Sequence, residues 1–400
     1  MRRDVLLLSL AAFASAASLR ATDPLLPLIA AEFATTAAAA SGTITAFVLS
    51  YGLLQVVYGP LGDRFGRVHT IAAASLVSTF GSAACALAPG LDALVAARLV
   101  SGATIGALIP LALAWIGDSF AYEGRQAVLA RFLVGQMLGV AFGTALAGWM
   151  GEIFGWRSIF VVFAALFILI AAALAMEIAR GSGNGALAAR RGPARPFIQG
   201  LIRMPRLLAE RPVRLLLATV FAEGLLVSGA FAFVAVYLQQ HHGVGPGLAG
   251  TLVAAYAGGG LLYAAVARRA VASLGERGLV GLGGAALALG FAGLIVSPWT
   301  ASSTLCIAVV GVGYYMMHTT LQTHATQVSP GERGSAVALF AAALFLGGAS
   351  GVWLAAQAID AFGLAPVFAA AALGLAALSA AVRLRLPGPR GPRSHPPRMP

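Results

Sequence analysis

Long apolar runs alternate with short polar breaks from one end of the 400-residue chain to the other. A run of about 20 apolar residues crosses the hydrocarbon core of a bilayer as a helix. Such runs fall near 5–29, 41–59, 70–88, 93–117, 128–150 and 157–178, then near 213–238, 249–267, 278–296, 302–325, 335–357 and 365–383. The pattern predicts an all-α integral membrane protein of twelve transmembrane helices in two groups of six. Its expected parts are a bundle over 1–178, a cytoplasmic Arg-rich linker over 179–212, a second bundle over 213–386 and a disordered cytoplasmic tail over 387–400, rich in Pro and Arg.

Composition narrows the solvent. The chain is 59% hydrophobic and 10% charged, with a mean hydropathy of +0.87, whereas a soluble domain carries about 25% charged residues. Too little polar surface remains to cover a globule in water, so lipid is its main partner. The net charge is +12, and all 26 basic residues are arginine; with abundant Ala and Gly, this bias suggests a GC-rich bacterial genome. Such a charge also suits nucleic acid, but the arginines sort by membrane side. Arg2, Arg3, Arg64, Arg67, Arg125, Arg131, Arg180 to Arg214, Arg268, Arg269, Arg277, Arg333 and the tail fall in segments on one side, and only Arg20, Arg98 and Arg157 elsewhere. This asymmetry predicts a multi-pass protein of the bacterial cytoplasmic (inner) membrane with both termini inside, and argues against nucleic acid.

Three local features are weighed against that plan. Met1-Arg2-Arg3, an apolar run and Ala14-Ser15-Ala16 imitate a cleavable signal peptide, but the apolar pattern continues to Ile29, and cleavage would leave an odd number of spans. The stretch from Phe197 to Leu208 is either an amphipathic helix on the anionic leaflet or a solvated linker. Cys85 and Cys306 sit in separate apolar spans and imply no disulfide framework.

The two halves repeat. One gap-free offset of about 208 residues, as expected for a parallel six-helix duplication, lays Arg125 on Arg333, Phe132 on Phe340, Gly139 on Gly347, Gly143 on Gly351 and Phe160 on Phe368. Between the second and third spans lies Gly59-Pro60-Leu61-Gly62-Asp63-Arg64-Phe65-Gly66-Arg67, read as a short charged turn whose glycines permit a tight reversal. A worn counterpart surrounds Arg268, Arg269, Gly275 and Arg277 in the second half.

That nine-residue stretch resembles, almost letter for letter, the loop between helices 2 and 3 of the major facilitator superfamily. Only the following basic position departs, with Val68. Leu94, Arg98, Ser101 and Gly102 resemble the superfamily's helix 4 motif, with Ser101 in place of Gln. The resemblance runs to about residue 383. It implies two six-helix bundles that rock about a central substrate site, with Gly59, Leu61, Asp63, Arg64, Gly66, Arg67 and Asp118 forming a latch that joins the halves in the outward-facing state. Helix 5 carries Gly135, Gly139 and Gly143. They are similar to the signature of the efflux branch, although Val140 replaces its Pro and Thr144 its second paired Gly. Close helix packing explains these glycines, with Gly347 and Gly351, equally well. Arg20-x-x-Asp23-Pro24-x-x-Pro27 resembles the opening helix of twelve-helix drug and metabolite exporters.

Charges inside apolar spans are the candidate chemistry, because burying them is costly. At about 1.5 Å per residue, Arg98 lies roughly 25–28 Å above the cytoplasmic end of helix 4, and Arg20 and Asp23 about 22 and 27 Å up helix 1. These depths permit an Asp23–Arg98 pair, with Arg20 one turn from Asp23. The pair is either proton-coupling or a fixed structural bridge. Glu223 is the only acid in helix 7; it is either a proton carrier or a packing hydrogen bond. Gln55, Gln136, Tyr314, Tyr315, His318 and Gln322 are candidate cavity or substrate residues, with polar packing the alternative for His318. His241-His242 reads as an exposed loop pair.

No His/Cys/carboxylate group has metal-ligand spacing, no nucleophile–base pair suggests an enzyme, and no nucleotide-binding Gly-rich loop appears. The expectation is a cofactor-free secondary transporter driven by the proton gradient, a monomer that exports a small organic compound. The alternatives are a proton-coupled importer of a sugar, organic acid or other nutrient, and a non-transporting membrane sensor on the same fold.

Overall fold

A computed structural model describes residues 3–120, 122–180, 204–329 and 332–385. Most of the 179–212 linker and all of the 387–400 tail lie outside them. The elements are α1 (Arg3–Glu32), α2 (37–65), α3 (Arg67–Ala86), α4 (Leu91–Ser119), α5 (Tyr122–Phe154) and α6 (Arg157–Ala179). After a short helical turn at 204–209 come α7 (Arg211–His242), α8 (246–274), α9 (276–296), α10 (Thr300–Gln327), α11 (Arg333–Phe362) and α12 (Leu364–Arg385). In lipid, each helix satisfies its own backbone hydrogen bonds, so apolar sequence and helix go together.

The boundaries have local causes. Residues 246–296 run as one apolar stretch broken at Gly275, whose φ of 61° is left-handed. A 51-residue helix would be about 76 Å long, far beyond a bilayer core of about 30 Å, so the reversal at Gly275 makes two spans. Gly66, at φ 88°, plays the same part between α2 and α3. The expected Gly59–Arg67 turn is thus corrected. The helix continues through Pro60 to Phe65, and the reversal is a single glycine. Gly59 is helical with open space around it.

α2 bends by 51° between Leu53 and Gln55. Pro60 supplies no N–H to the carbonyl of Val56, and the buried Gln55 side chain donates to both Tyr51 O and Gly106 O at 3.3 Å. In α1, Pro24 and Pro27 interrupt regular helix, and Asp23–Leu25 tightens into a 3₁₀ turn.

Small residues set the helix spacing within each half. Gly139 and Gly143 of α5 lie on the backbone of α1 at Phe13 and Ala17; Gly347 and Gly351 of α11 lie on α7 at Phe221 and Leu225. A Cβ at any of these would strike a carbonyl. Gly135, expected in the same stripe, faces open space and packs against nothing.

The halves α1–α6 and α7–α12 meet along two crossings, α2 with α11 and α5 with α8, which the internal repeat relates to one another. At the first, Gly52 admits Phe345, whose ring lies 4.5 Å from that of Tyr51. At the second, Gly148 and Gly250 let backbones touch at Pro246 and Thr144.

Candidate functional site

A row of aromatic rings runs through the second half and meets α1 of the first half at one end. The Arg20 guanidinium of α1 lies 5.0 Å over Phe231 of α7. Phe231 is 4.5 Å from Tyr256 of α8, which is 5.8 and 5.9 Å from Tyr314 and Tyr315 of α10. Tyr314 stacks on His318 at 4.9 Å and 9°, and Phe340 of α11 covers the imidazole from 5.4 Å. The spacing Tyr314, His318 is one helical turn, which is why the rings stack.

Each end of the row carries a carboxylate that is 0% exposed. Asp23 Oδ2 lies 3.4 Å from Arg20 Nη1, and Glu223 Oε2 lies 3.1 Å from His318 Nδ1. Their other oxygens, Asp23 Oδ1 and Glu223 Oε1, are buried with no hydrogen-bond partner among the described residues. An isolated buried carboxylate is costly in apolar surroundings, and one charged partner offsets only part of that cost. Both are therefore incompletely partnered acids buried between helices.

Arg98 corrects the expected Asp23–Arg98 pair. It is 1% exposed, sits 3.9 Å over Phe47, and donates to Thr43 O (3.3 Å), Ser18 O (3.5 Å) and Thr22 Oγ1 (3.4 Å). Thr22 shares a face with Ser18, four residues back, and both meet Arg98, while Asp23, one residue on, faces Arg20.

The remaining polar candidates divide. Gln55 is buried, with its Nε2 occupied by the two carbonyls at the α2 bend. Gln136 Nε2 is buried without a partner among the described residues, whereas Gln322, one helical turn after His318, is exposed. His241 and His242 form the last turn of α7 rather than a loop; His241 stacks on Tyr237 at 4.9 Å and His242 Nε2 meets Ser303 Oγ at 2.8 Å.

Contacts between the halves concentrate on the face opposite the termini. Glu152 Oε2 accepts the N–H of Gly247 at 2.7 Å, Trp149 Nε1 donates to Thr251 Oγ1 at 3.0 Å, Gln239 Nε2 donates to Pro24 O at 3.0 Å, and Thr36 Oγ1 donates to Asp360 Oδ2 at 3.4 Å. Glu152 sits at the N-terminus of α8, where peptide N–H groups are unpaired and favour negative charge.

On the terminal face, the motif residues stay within the first half. Arg67 Nη1 lies 2.5 Å from Asp118 Oδ2, Arg67 Nη2 lies 3.6 Å from Asp63 Oδ1, and Arg67 also donates to Ala114 O. They tie α2, α3 and α4 together and, in this conformation, do not bridge the halves. Arg64 is exposed over the Phe65 ring and Leu61 is partly buried. The second half repeats the geometry with inverted charge. Glu276, directly after the left-handed Gly275, places Oε2 3.1 Å from Nε2 of His324 on α10, an ion-pair distance without hydrogen-bond alignment. The worn counterpart therefore retains a pair, Glu276 with His324.

Phe231, Tyr256, Phe340, Trp149 and Glu152 were not legible as site residues. An aromatic residue in an apolar span looks the same whether it faces lipid or a partner, and Glu152 sits at a span end where charge is ordinary. The one available signal was the offset linking Phe132 to Phe340.

The architecture is thus a multi-pass membrane bundle of two similar six-helix halves around buried charged groups. The Major Facilitator Superfamily family model matches residues 8–352, and the chain belongs to that superfamily. An uncharacterized MFS-type transporter of Bacillus subtilis, YwfA, is 25% identical over 253 residues, 63% of this chain and 60% of that one. The multidrug export protein EmrB of Haemophilus influenzae is 27% identical over 157 residues, 39% of this chain and 31% of that one. The chain thus spans less than two thirds of the length of these curated relatives. The fold matches the xylose transporter XylE from E. coli, in a partially occluded inward open conformation, with a TM-score of 0.71 at 14% identity, covering 97% of this chain and 98% of that one.

Proposed function

We propose that this protein is a proton-coupled secondary transporter that exports a small organic compound by alternating access, without a cofactor. The observation that carries this reading is the pair of fully buried carboxylates, Asp23 and Glu223, one in each half, each with an unpartnered oxygen and joined by one aromatic row. Protonation of either changes the charge of its half without moving the backbone. A group whose protonation is favoured in only one of two conformations biases the equilibrium between them.

The arginine asymmetry supports termini on the cytoplasmic side. With that orientation, the bonds at the far face lie on the periplasmic side, which supports an inward-facing conformation. Asp63, Arg67 and Asp118 then belong to the face that closes in the opposite state, where their latch role lies. Export is favoured over import by the Arg20-x-x-Asp23-Pro24 segment and by the similarity to a multidrug export protein.

The test is a compound screen in a host lacking its major exporters, followed by transport of each hit in proteoliposomes under an imposed pH gradient. Antiport lost or uncoupled in Asp23→Asn and Glu223→Gln supports the reading. Symport identifies an importer, and absence of turnover identifies a sensor. Unchanged transport in both variants removes the carrier assignments.

A further inference from the structure

The Glu223–His318 pair is asymmetric in its access to water. The glutamate side chain is 0% exposed and the histidine side chain 12%. Tyr314 covers one face of the imidazole in parallel contact, and Phe340 lies against it from α11. Two flanking rings hold Nδ1 against Glu223 Oε2 at 3.1 Å. The other titratable or charged groups around the pair are Tyr314 and Tyr315 of α10, Tyr256 of α8 and Arg20 of α1; α11 contributes the apolar Phe340.

We propose that His318 is the relay through which protons reach Glu223, so that the carboxylate exchanges with solvent by way of the imidazole and not directly. This inference rests on Glu223 being a proton carrier. With Glu223 ionised, neutral His318 donates Nδ1–H to Oε2. A proton arriving at Nε2 makes the imidazolium, the Nδ1 proton passes to Oε2, and the products are a protonated Glu223 and a neutral imidazole carrying Nε2–H. Reversal of the same two transfers releases the proton, and no ring flip is needed. His318 thus acts on coupling through Glu223, and Tyr314 acts as a positioning residue for the relay.

The test uses infrared spectroscopy of the purified full-length chain in liposomes, reading the carbonyl stretch of protonated Glu223, identified by its loss in Glu223→Gln. On switching from H₂O to D₂O, this band shifts at the rate at which the carboxyl exchanges. In His318→Gln the shift is expected to slow by about 100-fold, the scale contributed by a positioned acid–base group, and His318→Phe, which keeps a flat ring between Tyr314 and Phe340, guards against a packing artefact by slowing it equally. Free imidazole added to His318→Ala restores the rate. Exchange at the wild-type rate in both His318→Gln and His318→Phe overturns the relay and leaves Glu223 standing as carrier. A band unaffected by pH over the whole accessible range, in the wild-type chain, overturns both.

Discussion

Arg98 donates Nη2 to Thr22 and leaves the next residue, Asp23, to Arg20. A buried guanidinium without a carboxylate is held here by two backbone carbonyls, one hydroxyl and the face of Phe47. Its contacts join α4 to α1 and α2, a packing role beside the proposed carrier Asp23. Planarity matters to such a site, since guanidinium stacks on rings and an ammonium does not. Arg98→Ala is expected to cost about 3–5 kcal/mol by emptying a filled site and stranding its partners, and Arg98→Lys to be destabilised less but clearly. Thermal unfolding of the purified protein in detergent checks both. Asp23→Asn should leave the unfolding midpoint within a few degrees of wild type while abolishing proton coupling, and a large loss of stability would contradict the division of roles.

Glycines that resemble one another in sequence predict opposite results. Gly148 lies at the crossing of α5 with α8 between the halves, so Gly148→Ala pushes the closed face apart and should raise the population open on that face. Gly143→Ala and Gly347→Ala wedge helices within one half and should lower stability by about 1–3 kcal/mol, the range of overpacking, without favouring either conformation. Gly135→Ala should be neutral or stabilising by up to about 1 kcal/mol, the helix-propensity difference. Spin-label distances across the far face, set beside thermal unfolding, separate the three outcomes.

Glu152 at the start of α8 predicts a second effect on the same equilibrium. Glu152→Gln keeps a hydrogen-bonding side chain and removes the charge that the helix terminus favours. The opening equilibrium at the far face should shift by about two- to fivefold, more at low salt than at high salt. Labelling of cysteines placed in the 243–245 turn reads this shift directly, and a salt-independent result would remove the electrostatic explanation.

Arg67 and Asp118 form a half-exposed pair on the terminal face. A double-mutant cycle with Arg67→Ala and Asp118→Ala should give a coupling of about 0.5–1 kcal/mol in unfolding free energy, typical of such pairs. The corresponding cycle with Glu276→Ala and His324→Ala should give a coupling that disappears when the pH is raised enough to deprotonate the imidazole, because that pair is ionic only while His324 is charged. A pH-independent coupling would mean that the second pair is held by packing alone.

The amino-acid sequence by itself determined the membrane, the helices and their duplication. Each of these depends on composition over about 20 residues or on a register shared across a long alignment, and lipid leaves the backbone no alternative to helix. It also marked Asp23, Glu223 and His318, because a charge or an imidazole in an apolar span is conspicuous. Only the tertiary structure decided which of them meet. Rotation about a helix axis changes by about 100° per residue, so Thr22 meets Arg98 while Asp23 meets Arg20, and no count of depth distinguishes the two. For the same reason Gly135 faces open space while Gly139 lies on α1, and Gln55 is consumed by a bend. The aromatic row and the closed far face are contacts between separate helices, the first set by packing within the second half and the second by how one half leans on the other.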